Sequence, residues 1–122
     1  LMKLQSIEIN KRFVPEWNDN RSLPADEQVV IHFQRIPGTS EKSNYISFGT
    51  TQGGRFEIVY NDNLMLSTFI QRIENLEIGN KKIVKGADLA TASHPKLAEL
   101  ATEIRQYLFP EDEELTSGES KA

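Results

Sequence analysis

The sequence predicts an α+β fold: a small antiparallel sheet from the N-terminal half, packed with two or three C-terminal helices and a short hairpin. Three observations predict it. Apolar residues alternate with polar ones through much of the first half, which is the period of half-buried strands. Across two stretches of the second half they recur at helical spacing instead. Between those stretches, "NLEIGNKKIV" centres on Gly79-Asn80, a two-residue hairpin signal.

Taken in order, "QSIEINKRF" alternates Ile7, Ile9 and Phe13 with polar residues and predicts the first strand. The stretch "FVPEWNDNRSLPADEQVV" then places the only tryptophan, Trp17, between Pro15 and the turn formers Asn18-Asp19-Asn20. Prolines and turn formers lower the entropy lost on ordering a loop. The stretch is therefore expected to be an ordered joint first and a contact surface second, with Trp17 folded back on the sheet. An exposed aromatic anchor for a partner is the competing reading of Trp17. "QVVIHFQRI" puts Val29, Ile31 and Phe33 on one face of a second strand and Val30 and His32 on the other. "PGTSEKS" is a polar, exposed link. "NYISF" and "RFEIVY" are two strands of a hairpin joined by "GTTQGG", where Gly53-Gly54 supply positive φ.

"YNDNLMLSTFIQRI" predicts a helix capped by Asp62 or Asn63, with Leu66, Phe69, Ile70 and Ile73 at helical spacing. Its apolar residues span more than one side of a short helix. Met65 and Phe69 are accordingly candidates for an outward-facing, adaptable protein contact. The next hairpin sets Leu76 opposite Ile83 and Glu77 opposite Lys82. Lys81 and Lys82 at its tip read as a solvated edge that discourages strand pairing, or as a partner contact. "GADLATA" holds at most one helical turn. "SHPKLAELATEIRQYL" is the strongest helix, with Ser93 or His94 as cap, Pro95 in the first turn and Leu97, Leu100, Ala101, Ile104, Tyr107 and Leu108 forming one stripe. Pro110 stops it.

With 122 residues the chain fits one domain, expected over 1–110, followed by an acidic disordered tail, 111–122. The formal net charge is −4. The tail holds Glu111, Asp112, Glu113, Glu114 and Glu119 against Lys121, which accounts for all of it and leaves the body balanced. A neutral body with an acidic tail lacks the basic footprint of a nucleic-acid binder, and it argues against an anionic membrane surface as partner. The absence of cysteine excludes disulfides, thiolate nucleophiles and Cys-ligated metal. With no apolar h-region at the start, a soluble, unexported protein is expected.

No motif reports a chemistry. His32 lies mid-strand and His94 precedes a proline, and neither has metal-ligand spacing. "GTTQGGRF" is followed by a strand, whereas a phosphate cradle needs a helix. The adjacent acids Asp26/Glu27 and Glu111 to Glu114 read as solvated charge. The sequence accordingly predicts no enzyme, no cofactor and no metal.

Three segments together resemble a known class. "IEINKRFVPEWNDNRSLPADEQVVIHF", "FIQRIENLEIGNKKIVKGADLATASHPKLAELATEIRQYL" and the acidic ending are similar, over roughly residues 6–110, to small proteins of the tail-gene region of long-tailed bacteriophages and prophages. The nearest functional class is the phage tail assembly chaperone, and Ile73 to Leu89 carries the likeness best. The resemblance implies a non-catalytic binding role in the cytoplasm of the bacterial host. The implied partner is the helical tape-measure protein, the tail tube protein or both. A head-tail joining or minor tail component is the alternative within the same setting. A small inhibitor of a host defence protein is a further one, against which the neutral body argues.

Overall fold

The computed structural model describes residues 1–3, 9–38 and 40–110. It has the expected α+β composition, in three small antiparallel sheets with helices. The expected start of the first strand and the acidic tail lie outside the described residues.

The central sheet has the order β1-β2-β5, formed by Arg12–Phe13 (β1), Val30–Phe33 (β2) and Ile70–Glu74 (β5). β1 pairs with β2 across the Trp17 loop, Phe13 opposite Ile31. β5 comes from the second half of the chain, where the sequence predicts a continuing helix. This corrects the predicted helix, which ends at Phe69, and adds a strand from the second half to the sheet that the N-terminal half begins. The reason is visible in the register. Ile31 lies opposite Ile73 and Phe33 opposite Ile70, with a β-bulge between His32 and Phe33. The bulge fits one extra residue into β5, so two isoleucines three apart point to the same face. That spacing is also the helical spacing, and periodicity alone cannot separate the two.

Helix α1 is therefore short, Asp62–Phe69, and Asn61, one residue ahead of the expected caps, accepts from the N–H of Leu64. Helix α2 spans Gly86–Thr91 and crosses α1 closely. A Cβ at Gly86 would lie 2.1 Å from the carbonyl oxygen of Leu66, so only glycine permits this approach. Asp88 holds the start of α2, accepting from the N–H groups of Lys85 and Val84 at 3.1 and 3.2 Å. Helix α3, Leu97–Leu108, begins three residues beyond His94, whose carbonyl accepts from Leu97 N–H. The expected cap is thus part of a preceding turn. The α3 stripe is as expected, with Leu97, Leu100, Ala101, Ile104 and Leu108 buried.

The core lies between the central sheet and the three helices. Phe13, Ile31, Phe33, Ile70 and Ile73 of the sheet meet Met65, Leu66, Phe69, Leu89, Leu100 and Ile104 of the helices. Tyr107 stacks on Phe13 with ring centroids 4.0 Å apart. Arg105 ties α3 to α1, its Nη1 donating to both carboxylate oxygens of Asp62 at 2.7 Å.

Two hairpins complete the fold. Glu77–Ile78 (β6) and Lys81–Lys82 (β7) pair with Glu77 opposite Lys82, the expected register, and Gly79 takes φ +61° at the turn. Ile46–Thr50 (β3) and Phe56–Tyr60 (β4) form the second, also as expected. Of the two glycines in its loop, Gly54 is the one with positive φ, +77°.

Candidate functional site

The Trp17 loop is a joint, and its fastenings can be traced atom by atom. Asn20 is 2% exposed. Its Oδ1 accepts from Val29 N–H at 2.7 Å, and its Nδ2 donates to the carbonyls of Pro15 and Val29, each at 3.0 Å. One amide side chain thus closes the excursion where it leaves and rejoins the sheet. Asn18 and Asp19 take positive φ, a conformation that Asn and Asp tolerate better than most residues. The Glu103 carboxylate on α3 accepts from the backbone N–H groups of Glu16 and Trp17 at 2.6 and 2.8 Å. Asn75 pins the far end, donating to the carbonyls of Asp26 and Gln28.

Trp17 itself is half-buried. Its indole N–H donates to the carbonyl of Lys96, just ahead of α3, at 2.8 Å, and the side chain packs against the core cluster. The hydrogen bond adds a clasp between the loop and the start of α3. A surface cleft of about 220 Å³ lies beside it, with Ile78, Gly79, His94 and Lys96 among its lining.

Met65 and Phe69 do not face outward. They are 1% and 0% exposed, and both belong to the core cluster. The helix is too short, and too enclosed by α2, α3 and the 3-10 turn at Glu41–Tyr45, to keep an apolar side free. Neither side chain is at the surface of this fold, which corrects the expectation that they face outward. Of the same stretch, Leu64 remains exposed at 47%. Lys81 and Lys82 are exposed on β7, where a contact with a partner is sterically open.

The exposed apolar surface lies elsewhere, on the β3–β4 hairpin. Phe48, Phe56 and Ile58 are 74%, 86% and 53% exposed. The register puts Ile46 opposite Tyr60, Phe48 opposite Ile58 and Thr50 opposite Phe56. Cross-strand partners share a face, so these six residues form one side of the ribbon, and it carries no charge. At one end the hairpin is anchored to the body. There Tyr45 is buried against Phe69 and Phe109, and the Arg105 guanidinium lies 3.9 Å from the centre of the Tyr60 ring. Sequence reasoning recognised both strands but assigned no binding to them, because alternation shows that one face is apolar without showing what covers it.

Two pairs of titratable side chains hold neighbouring segments together. His32 Nε2 hydrogen-bonds Glu74 across β2 and β5, and this bond holds the Glu74 carboxyl below the usual carboxylate range, with Arg72 assisting. Arg35 does the same for Glu41 through a 2.6 Å hydrogen bond. Among the described residues no group of three His, Asp or Glu side chains is placed to hold a metal ion. No helix among them is long and apolar enough to cross a membrane. Among the described residues, the β3–β4 ribbon presents an apolar face open to solvent. Comparison of the chain with family models, with curated proteins and with solved structures gives no match.

Proposed function

We propose that this protein is a non-catalytic component of bacteriophage tail morphogenesis, of the tail assembly chaperone kind. It would act in the cytoplasm of the bacterial host and bind the tape-measure protein, the tail tube protein or both. The observation that carries a binding role is the uncharged apolar face of the β3–β4 hairpin, with Phe48, Phe56 and Ile58 open to solvent. Contiguous exposed apolar surface marks an interaction site more often than single exposed residues do. The phage setting rests on the resemblance of residues 6–110.

The physical logic is reversible cover. A long helical protein awaiting enclosure exposes apolar stripes, and a flat apolar ribbon can shield a stripe without enclosing it. The joint at Trp17 and the contact at Gly86 keep the body rigid behind the ribbon, so binding there does not reopen the core.

The test is co-expression with the tape-measure candidate encoded beside the gene, comparing wild type with Phe56→Glu. Wild type is expected to keep the partner soluble and to co-purify with it. The variant is expected to fold, because Phe56 is 86% exposed, and to lose the partner. If wild type leaves the partner insoluble and itself assembles into a defined ring, the joining-protein role replaces this one.

A further inference from the structure

The free edge of β3 has a property the binding reading does not use. Hydrogen bonds from Thr51 N–H to the Arg55 carbonyl and from Asn61 N–H to the Tyr45 carbonyl fix the phase of the ribbon. In an antiparallel ladder hydrogen-bonded pairs alternate with non-bonded pairs. Ser47 and Gly49 therefore turn their backbone groups toward β4, and Ile46, Phe48 and Thr50 turn theirs away from it. Among the described residues no strand pairs with that outer edge.

Edge strands are normally guarded by Lys, Pro or another charge. β3 reads Ile-Ser-Phe-Gly-Thr and has no such guard. β4 carries Glu57, and Arg55 precedes it, so the ribbon as a whole is neutral. A two-stranded ribbon is marginal in water, and a sheet of three or more strands is the stable form.

We propose that the outer edge of β3 pairs antiparallel with β3 of a second copy of this chain, about a two-fold axis at Phe48, to make a four-stranded sheet. The register follows from the phase. Phe48 faces Phe48 of the other copy, Ile46 faces Thr50, and Ser47 faces Gly49. Ile46, Phe48 and Thr50 then exchange backbone hydrogen bonds with their opposites. β3 holds no charged residue, so no like charges oppose one another in this register, and the two-fold makes the contact self-complementary. A two-fold axis normal to the sheet puts both apolar faces on one side. Phe56, Ile58 and Phe48 of each copy then form one doubled platform. The use of that platform for a tail protein rests on the function proposed above; the pairing itself does not. Edge pairing of five-residue strands buries less than a standard interface, so the dimer is reversible and depends on concentration.

The test is sedimentation velocity of the purified full chain over a concentration series, with Phe48→Lys, Phe48→Glu and a mixture of the two. Wild type is expected to show a monomer–dimer equilibrium. Each variant alone sets like charges directly opposite and should weaken association by about tenfold or more. The mixture sets Lys opposite Glu and should recover the dimer. Phe48 is 74% exposed, so circular dichroism and melting of both variants should match wild type. Three results would each overturn the proposal: wild type monomeric throughout, single variants that dimerise as wild type does, or a mixture of folded variants that stays monomeric. A monomeric chain that still keeps its tail partner soluble would sink the pairing and leave the proposed function standing.

Discussion

Replacing Asn20 tests whether one side chain holds the long joint. Its amide is 2% exposed and makes three hydrogen bonds, one accepted from Val29 N–H and two donated to the carbonyls of Pro15 and Val29. Asn20→Ala leaves the Val29 N–H buried without a partner, a loss of about 2 kcal/mol on the usual scale for an orphaned buried donor. The two carbonyls keep one lone pair each for other contacts and add about 1 kcal/mol between them. A loss of about 3 kcal/mol corresponds to a fall in Tm of about 12 °C at roughly 4 °C per kcal/mol. Thermal melts and urea titrations at unchanged m-value would read it. Asn20→Asp sharpens the test. The introduced carboxylate still accepts from Val29 but sets its other oxygen against two carbonyls, which raises its pKa in the folded state. Its ionised form is the unfavourable one, so this variant is relatively most stable below the unfolded carboxyl pKa, about 3.9, and loses stability as pH rises through the folded value. Against wild type at each pH, its deficit should therefore grow from acid toward neutral. An Asn20→Ala protein melting within about 2 °C of wild type would refute the reasoning and leave the prolines and turns as sufficient.

Two further outcomes follow from the same geometry. Gly86→Ala drives a Cβ to 2.1 Å from Leu66 O and 2.9 Å from Leu66 C, both backbone atoms, so α2 must shift off α1; a loss of about 2–3 kcal/mol is expected by urea unfolding, against near-neutrality if the helices can slide. Acid should destabilise the domain: Glu74, Glu41 and Asp88 have carboxyls held below their usual range by His32, by Arg35 and by the N–H groups of Lys85 and Val84, so their contribution is complete above the unfolded pKa and lost as pH falls through the lower folded values. Tm should stay level down to about pH 5 and drop below about pH 4, and Asp88→Asn should flatten part of that drop.

The parts of the fold legible in the sequence are those in which local signal and final packing agree. The α3 stripe, the Gly79-Asn80 hairpin with its Glu77–Lys82 pair, and the pairing of β3 with β4 all follow from spacing and turn chemistry. The helix-to-strand switch at Ile70 does not. Leu66, Phe69, Ile70 and Ile73 fit a helical stripe, and the β-bulge that lets Ile70 and Ile73 share a face is set by pairing with β2, a partner distant in sequence. The site was less legible. Trp17 was marked by its surroundings, but the helix it clasps depends on Glu103 of α3 and on Lys96 just ahead of it. Met65 drew notice as an unusual residue on a crowded helix, yet the crowding reflects three neighbours enclosing it.

The exposed ribbon shows why apolar content and apolar surface must be argued separately. β2 and the β3–β4 ribbon carry alternating apolar residues of similar kinds, Ile31 and Phe33 in one, Phe48, Ile58 and Phe56 in the other. Ile31 and Phe33 are 0% and 2% exposed because β2 lies between two strands and under three helices. The helices are fully committed there. α1 and α2 are locked by the contact at Gly86, and α3 is held by Glu103 to the loop and by Arg105 to Asp62. None can turn to cover the ribbon without breaking one of these contacts. The apolar face of β3 and β4 is thus not a core awaiting a small rearrangement. Among the described residues nothing covers it, and its lack of charge sets no electrostatic barrier against a partner.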